Sequence, residues 1–333
     1  MGSEVQARRL LRFTLVALAL AMVVVVLGAF TRLVDAGLGC PDWPGCYGYL
    51  SVPETAEEIR IAESRFSEAP VEVGKAWAEM VHRYFATALG ALIVGIAALA
   101  YRYRGAVPLK LPIVLVFMVI LQGAFGAWTV TLKLWPQVVT AHLLGGFTTL
   151  ALLWLLAQRL GFASRYSAQG KLSAHALAAL VVVVLQVTLG GWVTSNYAAL
   201  ACPDFPTCHG AWLPAMDMAH GFNVLQSAGP NYLGGLLESD ARIAIQVTHR
   251  VGALLTLVVV GWLGWRLWQT NSGLASWVLG LLVLQLTLGI LNVVLVLPLW
   301  VATSHNAGGA LLLAVLVTVN YRAYLAKREE AYH

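Results

Sequence analysis

The chain has 333 residues, 59% of them hydrophobic and only 11% charged, with a formal net charge of +5. A water-soluble domain cannot bury that share of apolar surface, so ordinary soluble folds are excluded and a polytopic membrane protein is expected. The positive excess is not a nucleic-acid signal, because the basic residues gather at particular ends of apolar runs.

In chain order, eight runs reach the roughly 20 residues that a spanning helix needs. They are Leu11–Leu33, Trp77–Tyr101, Leu111–Val130, Val138–Leu160, Leu172–Ser195, Ile243–Leu267, Leu274–Leu297 and Leu299–Tyr321. A β-barrel would show segments of about ten alternating residues instead. Arg8 and Arg9 before the first run resemble a signal peptide. That run is long enough to span and a later segment repeats it, so it is read as a retained helix.

Arg8, Arg9 and Arg12 precede span one. Arg102, Arg104 and Lys110 lie between spans two and three, and Arg159, Arg165 and Lys171 between four and five. Arg266 ends span six, and Arg322, Lys327 and Arg328 follow span eight. The positive-inside rule then puts both termini in the cytoplasm. The acidic loop Asp35–Ala76 and the loop Asn196–Arg242 fall outside, in the periplasm of a bacterial inner membrane.

Each outer loop carries one cysteine pair in nearly the same heptapeptide, CPDWPGC from Cys40 to Cys46 and CPDFPTC from Cys202 to Cys208. Two prolines within C-x5-C favour a compact turn that brings the sulfurs together. The spacing is not that of a zinc site. Disulfides Cys40–Cys46 and Cys202–Cys208 are expected in an oxidising compartment, with thiol exchange to an outside carrier as the alternative.

Three more landmarks recur at 163 to 167 positions, close to the 162 of the cysteine pairs. Leu121-Gln122-x-x-x-Gly126 returns as Leu284-Gln285-x-x-x-Gly289. Val81-His82-Arg83 returns as Thr248-His249-Arg250, and Thr140-Ala141-His142 as Thr303-Ser304-His305. The chain therefore reads as a parallel repeat of two four-span halves. The expected fold class is an all-α polytopic membrane protein, eight transmembrane helices in two four-helix bundles related by a pseudo-twofold axis. The units are 1–160, a cytoplasmic linker 161–171, and 172–333.

His82, His142, His249 and His305 lie inside spans two, four, six and eight, near their outer ends. A histidine in a span is costly and tends to be functional, although some bridge helices by hydrogen bonds. Two per bundle on alternate helices could hold one haem iron from opposite faces. Gly145, Gly146, Gly308 and Gly309 follow at i+3 and i+4, where they either admit a flat macrocycle or let helices approach. Arg83 and Arg250 either meet haem propionates or snorkel to the interface. Gln122, Gln186 and Gln285 are read as interhelical hydrogen-bonding groups. His175, His209, His220 and His333 are read as surface residues.

The halves differ at one informative place. Glu79 precedes His82 by three residues, whereas Gln246 precedes His249. A carboxylate beside a haem can move protons or orient water, and an amide cannot. An interfacial carboxylate favoured by the helix dipole is the plainer reading. Arg32 is likewise unmatched, with Thr194 at its repeat position; it either meets a haem edge or snorkels.

On the two halves, the x-H-R and T-[AS]-H-x-x-G-G motifs, the cysteine loops and Glu79 in E-x-x-H-R, the chain resembles the haem A synthase family over nearly its whole length. The resemblance implies oxidation of a ring methyl of haem O to a formyl group. His82 and His142 would hold the substrate haem O, with Glu79 beside it as the catalytic carboxylate. His249 and His305 would hold a resident haem B. An unidentified electron donor, membrane lipid, haem O synthase and oxidase assembly factors would be partners, with a homo-oligomer left open. A di-haem b-type electron-transfer cytochrome is the competing reading, and a repeat-built transporter is a third.

Overall fold

The computed structural model describes residues 2–162 and 172–330. Arg165, Lys171, His333 and all but the first two residues of the 161–171 linker lie outside them. Among the described residues the fold is all-α. The order is α1 Gly2–Leu33, α2 Ala56–Arg65, α3 Val73–Arg102, α4 Lys110–Thr131, α5 Pro136–Arg159, α6 Ser173–Ser195, α7 Met218–Gly221, α8 Ser239–Trp268, α9 Ser272–Val294 and α10 Leu299–Glu330.

Eight of these helices, all but α2 and α7, are long and apolar enough to cross a membrane, at 22 to 32 residues each. Without water in the bilayer core, a helix is the way a lone segment satisfies its own backbone. The expected spans are all present, but their ends shift. α3 and α8 begin at Val73 and Ser239, a turn before the apolar runs, and α10 continues past Tyr321 to Glu330. An apolar run sets only the minimum length of a helix. α9 stops at Val294, short of the expected Leu297, because Val296 and Leu297 turn to φ 58° ahead of Pro298. Proline disfavours helical geometry in the residue before it. The α4–α5 corner is built in the same way, with Lys133 at φ 48° and Leu134 at φ 61°.

Within the first half α1 packs on α3 and α5, and α4 on α3 and α5; within the second, α6 packs on α8 and α10, and α9 on α8 and α10. Across the halves α1 meets α10, α5 meets α6, and α5 meets α10. This set of pairs is unchanged when the halves are exchanged. The main apolar cluster joins both halves at the end away from the cysteine loops, through residues such as Leu10, Ile96, Leu156, Leu267 and Leu316. Since lipid is as apolar as leucine, close packing and hydrogen bonds hold this seam. Trp154 Nε1 and Gln158 Nε2 on α5 both donate to Thr318 Oγ1 on α10, at 2.8 and 3.2 Å.

The first outer loop contains α2, which the apolar pattern does not reveal. Its signal is a capping box. Thr55 Oγ1 accepts from Glu58 N–H at 3.2 Å, and Glu58 Oε2 accepts from Thr55 N–H at 2.9 Å. The second loop instead crosses to the first half. Trp135 Nε1 donates to Gln226 O at 3.0 Å, Gln137 Nε2 to Val224 O at 3.0 Å, and Tyr232 N–H to Lys133 O at 3.0 Å.

Cys40 and Cys46 lie at disulfide distance, as do Cys202 and Cys208, with Cα atoms 4.8 and 4.7 Å apart. In each loop an aspartate closes the turn. Asp42 accepts from Tyr47 N–H at 2.6 Å and Gly48 N–H at 2.8 Å. Asp204 accepts from His209 N–H at 2.6 Å and Gly210 N–H at 3.0 Å. The Thr207 hydroxyl, with these two amides, holds the Asp204 carboxyl down to about 2. Replacing both Cys40 and Cys46 by serine is expected to cost the first loop about 2 kcal/mol, the entropy of so short a closed loop. Limited proteolysis should then cut this loop well before any helix. Unchanged resistance would mean that the bridge adds nothing to the hydrogen bonds around it.

Candidate functional site

The four span histidines sit on α3, α5, α8 and α10, and each presents its ring edge to a glycine of a neighbouring helix. A Cβ built on Gly28 of α1 would lie 2.9 Å from His82 Cε1, and one on Gly126 of α4 would lie 3.5 Å from His142 Cε1. The second half repeats this: Gly190 of α6 faces His249 Cε1 at 3.3 Å and Gly289 of α9 faces His305 Cε1 at 3.4 Å. The glycines make room for imidazoles between closely packed helices. Gly126 and Gly289 stand out in the sequence only as ends of the Leu-Gln-x-x-x-Gly repeat landmark, and Gly28 and Gly190 stand among 31 glycines with no motif around them.

The glycines that the motifs did highlight serve helix packing in part. Gly145 and Gly308 receive the side chains of Gln122 and Gln285, which a Cβ would overlap. Gly309 faces Gln285 Nε2 at 3.2 Å and Phe147 Cε2 at 3.7 Å, while Gly146 has open space around its Cβ position.

His82 and His142 are close enough to interact electrostatically, and so are His249 and His305. Nδ1 of His82, His142 and His305 is buried without a hydrogen-bond partner. All four histidines keep partial accessibility although they lie within spans. Among the described residues no group of three or more His, Cys, Asp or Glu could hold a bare metal ion. Two imidazoles from facing helices, with no third donor, suit an iron whose remaining ligands come from a macrocycle. The donor set and the unpartnered ring nitrogens therefore fit haem in each half.

Glu79 is 5% exposed and turns toward the first cysteine loop. Its Oε2 accepts from Cys40 N–H at 2.9 Å, and its Oε1 is ion-paired with Arg83. Arg83 also donates to Asp42 O at 3.0 Å and Pro44 O at 3.3 Å. Arg250 grips its own loop in the same way, through Thr207 O at 2.7 Å, Asp204 O at 2.9 Å and Cys202 O at 3.1 Å. Both arginines thus tie the outer ends of α3 and α8 to the cysteine loops. Gln246, the counterpart of Glu79, is equally buried, but its Oε1 has no partner.

Arg32 belongs to the seam between the halves. It donates to Thr194 O at 2.6 Å, lies 4.0 Å over the Tyr197 ring and pairs with Asp35 at 3.6 Å. His175, His209 and His220 are exposed, as expected. His209 Nε2 meets Ala201 O at 2.9 Å and His220 Nδ1 meets Asp217 at 2.6 Å.

Residues 11–317 match the family model described as COX15-CtaA, cytochrome oxidase assembly protein. The chain belongs to the COX15-CtaA family. Its relatives include the heme A synthase of Shewanella oneidensis, 47% identical over 318 residues, which are 94% of this chain and 95% of that one. The heme A synthase of Caulobacter vibrioides is 28% identical over 338 residues, covering 93% of this chain and 94% of its own length. Within this COX15-CtaA chain the glycine seats give a direct handle on the histidines. Gly28→Leu places a branched side chain where the His82 ring lies and is expected to cost about 1–3 kcal/mol through overpacking. Haem capture in the first half should fall, while the second half keeps its content. Equal loss from both halves on pigment analysis would contradict the pairing of Gly28 with His82 alone.

Proposed function

We propose that this chain is a haem A synthase, an oxidoreductase that oxidises a ring methyl of haem O to the formyl group of haem A. The observation that carries this reading is a difference in charge three residues before the matched histidines: Glu79 in the first half stands where Gln246 stands in the second. The near full-length likeness to heme A synthases supports it.

In this reading His82 and His142 hold the substrate haem O, and His249 and His305 hold haem B. Haem B, when bound, supplies one-electron redox capacity. The first half does the chemistry on the substrate. Converting a methyl to a formyl group exchanges two hydrogens for one oxygen atom, a four-electron oxidation that balances overall with dioxygen as oxidant and water as the other product, and the protons moved in it call for an acceptor at the site. Glu79 is the buried carboxylate of that half. Arg83 fixes one of its oxygens and Cys40 N–H the other, so it is held at the outer end of α3, three residues from His82.

The unchanged set of helix pairs on exchange of the halves supports a pseudo-twofold arrangement of 1–160 and 172–333 about the 161–171 linker. The basic residues support cytoplasmic termini and periplasmic cysteine loops in a bacterial inner membrane. An electron donor, haem O synthase and oxidase assembly factors are the partners this activity calls for.

The test is chromatography of haems extracted from purified protein made with and without a supply of haem O. Haem A appearing only with that supply is the expected result. Haem B alone under both conditions, with haem O confirmed in the membranes, would favour an electron-transfer cytochrome.

A further inference from the structure

We propose that Gln186 is the positioning residue that sets His249 for iron ligation, and that its absence from the first half makes one haem resident and the other exchangeable. The inference rests on the assignment of His249 to haem B made above.

Gln186 lies on α6 with its amide against His249 and Gly252 of α8. Its Nε2 is 3.2 Å from His249 Nδ1 and donates to the His249 carbonyl at 3.0 Å. A Cβ on Gly252 would overlap Gln186 Oε1, so Gly252 is what leaves room for the amide. At the repeat-related positions the first half has Val24 on α1 and Phe85 on α3. Neither side chain can reproduce this arrangement: His82 meets the backbone of Val24 alone, with no side-chain partner on Nδ1. The other glutamines do not distinguish the halves, since Gln122 and Gln285 sit alike against Gly145 and Gly308. His142 and His305 both leave Nδ1 unpartnered. Of the four candidate ligands, His249 is the one with a side-chain amide on its ring.

The chemistry gives that amide a purpose. A neutral imidazole that binds iron through Nε2 must carry its proton on Nδ1. An amide serves either tautomer, donating to a bare Nδ1 or, turned over, accepting from Nδ1–H. Gln186 Oε1 is buried without a partner and is free to take that second role. Valine can take neither. A partner on Nδ1 fixes the ring and makes the ligand more basic, and losing such a partner commonly costs roughly 10- to 100-fold in metal affinity. A synthase must release its product from one half after each reaction while keeping its cofactor in the other. A ligand held by a side-chain amide in the second half, against one that meets only backbone in the first, gives that difference.

The experiment uses full-length purified Gln186→Leu and Gln186→Glu proteins. It reads the transfer rate of haem B to an excess of a haem-scavenging protein, and the midpoint potential of the haem that remains. Gln186→Leu is expected to release haem B roughly 10- to 100-fold faster, with a higher potential. Gln186→Glu, a stronger acceptor for Nδ1–H, is expected to retain haem B and to lower the potential below that of the parent. The order Leu above Gln above Glu is a signature that a packing role would not produce. If Gln186→Leu fails to fold, the Glu variant still decides by the direction of its shift. Unchanged retention and potential in both variants would overturn the inference. His249→Ala separates the two layers: if it keeps haem B, the assignment of the second half fails and this inference with it. If it loses haem B while the Gln186 variants behave as the parent, only this inference fails.

Discussion

Replacing Glu79 by glutamine is expected to leave haem content and fold intact and to lower haem A formation at least ~100-fold, the low end of what a positioned acid or base contributes. The protein contains its own control for this substitution. Gln246 occupies the matching place in the second half and is tolerated there at 5% exposure. The loss of the ion pair with Arg83 would normally be a concern, because removing one partner of a sheltered pair strands the other. Arg250 shows how such an arginine is accommodated without a carboxylate. It is held by the carbonyls of Cys202, Asp204 and Thr207. Arg83 already has the carbonyls of Asp42 and Pro44 within reach. The variant should therefore keep its first loop, as judged by proteolysis and by haem spectra, and lose only product. Full activity would remove Glu79 from the chemistry and leave it as the residue that ties Cys40 to α3. A collapse of haem binding together with activity would make its role structural.

The spans, the repeat and the four histidines were legible because each is a contrast against its background. An imidazole in an apolar run stands out, and four landmarks at nearly one displacement are hard to arrange by chance. Glu79 against Gln246 was legible for the same reason. What the sequence withheld depends on partners supplied by other elements. Gly28 and Gly190 look like any glycine in a span, and Gly126 and Gly289 like marks of the repeat alone, until the facing helix places a ring against them. Arg83 and Arg250 next to histidines suggest haem propionates or snorkelling, and the carbonyls that the folded-back loops present to them are not visible in the sequence. No periodicity encodes that return of the chain. The crossing of the second loop onto Lys133, Trp135 and Gln137 is a contact between segments about 90 residues apart, with no local signature. α2 is marked in the sequence only by its Thr55-x-x-Glu58 capping box, a local signal without an apolar run behind it.

His249→Ala and His82→Ala are expected to empty different halves, which tests the division of labour directly. His249→Ala should lose haem B nearly completely, because His305 would be left as the only protein ligand of that pair, and even the loss of a group that merely orients a ligand weakens metal binding roughly 10- to 100-fold. Haem O should still be captured by His82 and His142, which lie on α3 and α5 of the first half. His82→Ala should do the reverse, keeping haem B with its low-spin spectrum while haem O no longer accumulates. Both variants should be folded. Each removes a polar ring from a membrane span, and the space it leaves borders a glycine seat rather than a close-packed core. Haem A formation should fall to background in both, for different reasons: one lacks the site and the other lacks the electron path. The pigment content therefore discriminates where the activity does not. If either variant lost both haems, the two histidine pairs would be parts of one cooperative site, and the repeat would explain the fold without explaining a separation of substrate from cofactor. If His249→Ala kept its haem B and His82→Ala lost it, the halves would have exchanged roles. Glu79 would then stand beside the cofactor, and its charge would bear on the redox potential of that haem rather than on a proton from the methyl group.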